Sequence, residues 1–141
     1  MTYRIATANP FDAAAVARVA YLHAETLPGI IFPSTGMGYW WEVWHRDQSV
    51  AFAILCGSDR YPESGYFARV GVTPHHRGHS LQYRLMGVAE KKARQLGWSA
   101  LYSDTRNRPY SAANFERRKW TQFTPEKPWD KPGAIYWMKE L

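Results

Sequence analysis

The segment Val72-Thr73-Pro74-His75-His76-Arg77-Gly78-His79-Ser80-Leu81-Gln82 holds the most specific chemistry in the chain. An apolar strand runs into a short basic, glycine-containing turn, and the turn opens an amphipathic helix. The first backbone N–H groups of a helix have no intrahelical acceptor, and the helix dipole adds partial positive charge there. Such a start is a ready anion site, so the spacing predicts capture of a phosphate-bearing molecule. Arg77 is the cation of the turn, and a plain surface charge is the lesser reading for it. His79 reads first as a solvated turn residue and second as a phosphate contact. His75 and His76 adjoin each other after Pro74, but no third ligand sits at metal-site spacing, so no metal is predicted.

Other elements must position this turn. Tyr3 to Ala6 reads as a first strand, and Asn9-Pro10 as an N-cap with proline at the first helical position. Phe11 to about Ala24 carries apolar residues at helical spacing. Leu27-Pro28-Gly29 ends that helix, and Pro33 to Gly38 is loop. Gly38 to Trp44 and Ser49 to Leu55 form a hairpin, and Gly65 to Val72 is a further strand. Ser80 to Leu96 is a helix with Leu81, Leu85, Val88, Ala89, Lys92 and Leu96 along one stripe. The Lys92 stem is expected to lie on the apolar surface. Ser99 to Thr105 is a strand, Ser111 caps a short helix to Lys119, and Trp120 to Phe123 and Ala134 to Leu141 are strands. The order β-α-β-β-β-α-β-α-β-β describes one α/β domain over residues 1–141, without repeats or linkers.

Bulk composition narrows the function. A chain of 141 residues with 45% apolar residues can bury a real core. The 16% aromatic content, with seven Trp, points to an aromatic core or a large apolar cleft. The single Cys56 excludes an internal disulfide and fits a reducing compartment. No apolar run reaches the roughly 20 residues that span a bilayer, and the N-terminus has no signal-peptide core. A cytoplasmic protein without membrane contact is expected. The net charge of +6 favours anionic ligands. No nucleic-acid-binding motif is present, so nucleic acid is an unlikely partner.

Strand, V-x-P, R-G-x-G-x-G/A, then a helix ending near glycine, is similar to the acetyl-CoA-binding motif of the GNAT superfamily of N-acetyltransferases. Here the match runs through Val72, Pro74, Arg77, Gly78, Ser80, Gln82, Leu85, Ala89, Ala93 and Gly97. Asn107, then Ser111 to Phe115, then Trp120 resembles the family's Asn-led loop, short helix and following aromatic. Trp129 and the ending Ala134 to Lys139 resemble small bacterial and phage members. The resemblance implies a GNAT fold, with a mixed, mostly antiparallel sheet of about 6–7 strands flanked by about 3–4 helices. It implies an acetyl-CoA-dependent N-acetyltransferase that moves acetyl directly to a primary amine, of a small molecule or a protein, in a ternary complex. Homodimers occur in the family, and no dimer signature is legible in this chain. Ser80 and Gln82 depart from the motif, because Gly or Ala is usual where backbone approaches the pyrophosphate.

The resemblance also assigns roles. Arg77, Gly78, His79, Ser80, Leu81 and Gln82 would hold the pyrophosphate. Val70, Gly71 and Val72 would offer backbone to the pantetheine arm, as well as strand core. Asn107, Ser111 and Asn114 would touch that arm, with helix capping as the competing role. The family's general-acid Tyr aligns with Asn114 or Phe115, and Phe115 has no proton to give. Tyr110 is the nearest tyrosine. Asp104 is the only carboxylate on the Ser99–Thr105 strand. It is either the base, directly or through water, or the partner of Arg106 or Arg108. Glu42 is a second base candidate, or the polar face of an edge strand. The Arg117-Arg118-Lys119 run attracts the 3′-phosphate or an acidic partner, or simply complements a helix end. Tyr39 to Trp44 lines the acceptor cleft or packs in the core. A GNAT-like binding protein without chemistry is the alternative function, ahead of a basic nucleic-acid-binding module.

Overall fold

The computed structural model describes residues 2–34 and 36–141. Met1, ahead of the first strand, and Thr35, within the Pro33–Gly38 loop, lie outside the described residues. Strands β1 (Arg4–Ala8), β2 (Tyr39–His45), β3 (Gln48–Gly57), β4 (Ser64–Val72), β5 (Ala100–Thr105), β6 (Thr121–Phe123) and β7 (Ile135–Glu140) form one sheet. Its order is β1-β2-β3-β4-β5-β7-β6. Every pairing is antiparallel except β4 with β5. Helices α1 (Ala13–Thr26), α2 (Leu81–Gln95) and α3 (Pro109–Arg117) cover the two faces, and a 3₁₀ turn at Pro74–His76 leads from β4 toward α2. This is the mixed α/β architecture expected from the sequence, with three helices.

Each face of the sheet has its own core. Val19 and Leu22 of α1 pack against Trp40, Phe52 and Ile54. Leu85, Ala89 and Ala93 of α2, with Phe115 of α3, pack against Val43, Leu55, Phe67 and Trp137 on the other. Trp40, Trp41 and Val43 are buried, so the aromatic β2 strand belongs to the core. Lys92 extends over the Tyr39 ring at 4.7 Å, where its charge meets the negative ring face.

Two helix starts differ from expectation. Asn9 does not cap α1. Its Oδ1 accepts from Phe11 N–H (2.9 Å) and closes a tight turn, while Asp12 caps α1 by accepting from Ala15 N–H (3.0 Å). Ser111 does not cap α3, which starts two residues earlier with Pro109 in its first turn. Proline suits that position because its fixed φ and missing N–H cost nothing there.

The β4 strand carries the irregularity that builds the site. Ile54 pairs with Arg69 and Leu55 with Phe67, so Ala68 is an extra residue, a β-bulge. Phe67, Val70 and Val72 all contact the α2-side core, while Ala68 packs on the α1 side. Gly71 also faces α1. A Cβ there would collide with Thr26 Oγ1 and come within 2.7 Å of Phe52 Cε1.

Candidate active site

The parallel pairing of β4 with β5 is short, running only from Ser64↔Ala100 to Tyr66↔Tyr102. Beyond it the strands fork. Ser103 Oγ donates to Phe67 O (2.7 Å) at the crotch, and residues 68–72 have no strand partner on that side. Two cavities meet at the fork. The first, about 910 Å³, lies between β4, the α2 start and α3. The second, about 790 Å³, lies between the Leu27–Ile31 loop, the fork and Trp129. Val70, Asn107, Arg108 and Ser111 line both.

The first cavity is an anion cradle. Gly78 (φ +83°) and Ser80 (φ +58°) take left-handed backbone conformations and turn the chain into α2. The first intrahelical bond there is Arg84 N–H to Ser80 O, so the N–H groups of Leu81, Gln82 and Tyr83 precede the hydrogen-bond ladder. The Ser80 hydroxyl caps none of them. Arg77 lines the cradle and rests its Nε on Val72 O (3.3 Å). A Cβ on Gly78 would meet nothing within 4 Å, so a ligand can approach the turn closely. Gln82 leaves the cradle clear by reaching across to α3, where its Nε2 donates to Ser111 Oγ (2.9 Å).

The structure brings most of the sequence candidates together. Val70, Gly71, Val72, Arg77, Gly78, Ser80, Leu81, Gln82, Asn107, Tyr110, Ser111 and Asn114 all line the first cavity. His79 does not. It packs on Tyr3 (ring centroids 5.3 Å), while His76 Nδ1 hydrogen-bonds the Tyr3 hydroxyl (3.0 Å). Tyr110 is 84% exposed at the rim, and Phe115 is buried. Arg117 and Arg118 both lie over the Tyr83 ring at 4.6 Å, but only Arg117 lines the cavity, while Arg118 also pairs with Glu90. No group of three or more His, Cys, Asp or Glu residues is placed to hold a metal ion among the described residues.

Asp104 lines the second cavity and pairs with neither Arg106 nor Arg108. Its Oδ2 accepts from Tyr66 Oη and Trp129 Nε1, each at 2.6 Å. Among the described residues Oδ1 has no partner. Tyr66 stays protonated, its pKa pushed far up by burial and then by the Asp104 charge and hydrogen bond. Arg106 pairs instead with Asp130 (3.3 Å), and Arg108 Nη1 donates to Thr26 O (3.3 Å). Glu42 is no base candidate in this fold. It is buried on β2, held by Arg18 through two 2.9 Å bonds and by Ser49 Oγ at 2.7 Å, and lines neither cavity.

Tyr66, Arg69 and Trp129 are site residues that the sequence did not reveal. Trp129 lies in the Thr124–Gly133 loop, and only the fold carries its indole to Asp104.

A sequence model of the acetyltransferase (GNAT) family matches residues 7–120. The chain belongs to this family of acetyltransferases. Solved structures agree with that fold. A Klebsiella pneumoniae protein provisionally described as an acyl-CoA N-acyltransferase is 26% identical, with a TM-score of 0.74 over 99% of this chain and 98% of that one. A Bacillus cereus IAA acetyltransferase has a TM-score of 0.80 at 16% identity, covering 99% and 100%. A Bacillus subtilis acetyltransferase in complex with CoA has a TM-score of 0.78 at 13% identity, covering 99% of each chain. No curated protein matches the chain at a significant level. No helix among the described residues is long and apolar enough to cross a membrane.

Proposed function

We propose that this GNAT-family protein transfers acetyl from acetyl-CoA to a primary amine, on a small molecule or a protein, in a ternary complex. The observation that carries this reading is the β4/β5 fork opening directly onto the uncapped α2 start. The residues fit the co-substrate: left-handed Gly78 and Ser80 leave room at the turn, and Gln82 does not fill it.

The turn Arg77 to Gln82 binds the pyrophosphate through backbone N–H groups, the helix dipole and the Arg77 charge. The free edge of β4 at Val70 and Val72 takes up the pantetheine amides as an added strand would. Asn107, Ser111 and Asn114 close the other wall of that channel. When bound, acetyl-CoA supplies a thioester whose carbonyl carbon forms a C–N bond with the amine as the C–S bond breaks. Asp104 Oδ1 holds the incoming ammonium and receives its proton, directly or through water. Tyr110 is the tyrosine lining the first cavity and the one to return a proton to the departing thiolate, and solvent at the rim can serve equally. The composition and lone Cys56 favour a cytoplasmic setting.

Calorimetry with acetyl-CoA tests the reading, with Arg77→Ala as the comparison. Binding that weakens about tenfold in the variant supports it, since loss of one charged contact is worth about 1.4 kcal/mol. No binding to the native protein overturns it. Binding without turnover on any amine would favour a GNAT-like binding protein, a reading motivated by Gln82 and by the lack of a tyrosine at Asn114 or Phe115, where the family's acid aligns.

A further inference from the structure

The second cavity carries more positive charge than its carboxylates balance. Five basic side chains line it against Asp104 and Asp130. Arg106 is neutralised by Asp130, and Arg60 lies over the Trp129 ring at 4.8 Å and reaches Asp59. Among the described residues Arg69, Arg108 and Lys131 have no carboxylate partner. Arg69 donates only to main-chain carbonyls, at Ala68 (2.7 Å) and Ile31 (3.3 Å), and its buried Nε has no partner. Arg108 reaches only Thr26 O.

Among the described residues no carboxylate behind Arg69 supplies the missing charge. The bulge at Ala68 sends Arg69 toward α1, where its field reaches His23, Cys56 and Tyr66. Burial, and then Arg69 itself, keeps His23 neutral, and burial also keeps Cys56 a thiol. Tyr66 feels Arg69 as well as Asp104, so the cavity presents opposite charges around one phenol. A guanidinium with spare donors favours a planar carboxylate, which it can engage with two parallel bonds.

Resting on the reading of this cavity as the acceptor site, we propose that the acceptor is a small amino-carboxylate, such as a free amino acid. Its carboxylate faces Arg69 and Arg108, and its amine faces Asp104 Oδ1. Polyamines and simple alkylamines lack the anion and meet two uncompensated guanidinium groups. Arg69 and Arg108 thereby select the acceptor.

Ligand-observed NMR tests this independently of turnover. The native protein is mixed with the common amino acids, β-alanine and γ-aminobutyrate, and separately with the matching carboxamides and with spermidine. At least one amino-carboxylate is expected to bind ten-fold or more tightly than its amide. That preference should collapse to within about twofold in Arg69→Gln. Arg108→Gln gives the same readout if Arg69→Gln does not fold. Amides or spermidine binding as well as the acids, no binding by any acid, or a preference unchanged in both variants would overturn the proposal. Acetyl-CoA calorimetry on the same samples reads the co-substrate site separately. Carboxylate-selective binding without CoA binding would therefore uphold the amino-carboxylate site and sink the transferase reading with its acceptor role.

Discussion

Glu90 and Asp104 are both carboxylates drawn into the protein, and their hydrogen-bond counts separate scaffold from site. Glu90, on α2, is only 1% exposed. It accepts from Arg118 Nε (2.8 Å) and Nη2 (3.1 Å), Lys139 Nζ (2.8 Å) and Trp120 Nε1 (3.1 Å), so both oxygens are saturated. That cluster ties α2 to the end of α3 and to β7. Asp104, which lines a cavity, has both of its donors on one oxygen, and the other has no partner among the described residues. A carboxylate with every lone pair engaged can hold elements together and has nothing left for a ligand. One held firmly by half of its acceptor capacity is oriented and still available.

The sharpest challenge to this contrast is a pair of isosteric changes. Glu90→Gln leaves Arg118 and Lys139 without their counter-charge and should cost about 3–5 kcal/mol. By thermal denaturation that is a fall in Tm of roughly 10 °C for a chain of this size. Asp104→Asn should lower kcat/KM for the amine on the order of 100-fold while moving Tm by only a few degrees. If the two variants exchanged these effects, the assignment of scaffold and site would be reversed. Gly71→Ala comes next. The new methyl collides with Thr26 at the foot of the cradle, and overpacking of this kind costs about 1–3 kcal/mol in urea denaturation.

Acid titration separates the two regions further. Burial raises the Glu90 pKa, but hydrogen bonds from Arg118, Lys139 and Trp120 outweigh it, and the net shift is below the ordinary 4.5. Its stabilising contribution is complete above that value and is lost as pH falls through the lower, folded one. His23 is a base whose pKa is lowered by burial and then by Arg69, below the ordinary 6.5. The unfolded chain takes up that proton first, so stability begins to decline as pH drops through 6.5. Urea midpoints against pH should show both declines, and Glu90→Gln should remove only the more acidic one. The smallest effect is expected from Gln82→Ala. Losing the clasp on Ser111 should cost about 1 kcal/mol of stability and leave acetyl-CoA affinity within about threefold by calorimetry. A large affinity loss would mean that Gln82 serves the cradle itself.

The order of elements was legible because period and punctuation are local properties. The Val72–Gln82 turn was legible for the same reason: strand, basic turn and helix are contiguous. The Asp104 partners were not, since Tyr66 is 38 positions away and Trp129 is 25. Local spacing left Asp104 facing Arg106 and Arg108, its nearest cations along the chain, while the fold sends those to Asp130 and Thr26 O. Glu90 did leave a trace. It follows Ala89 on the apolar side of α2, and a carboxylate there demands cations from elsewhere. One of them stood in the Arg117–Lys119 run, which was read as a single surface feature. In the fold Arg117 and Arg118 share the Tyr83 ring, and only Arg118 goes on to Glu90. The β4 bulge left no signal, because Tyr66-Phe67-Ala68-Arg69-Val70 alternates plausibly in either register.

The added residue at Ala68 gives β4 two phases. Before it, side chains follow one parity, and after it, the other. Because Ala68 is the unpaired residue, deleting it would leave Phe67 opposite Leu55 and Arg69 opposite Ile54, and every later side chain would keep its face. What such a deletion would remove is the local kink and added twist that a bulge gives a strand. The bulge therefore sets the direction of β4 where it parts from β5, and a one-codon deletion would straighten that fork while leaving both cores filled.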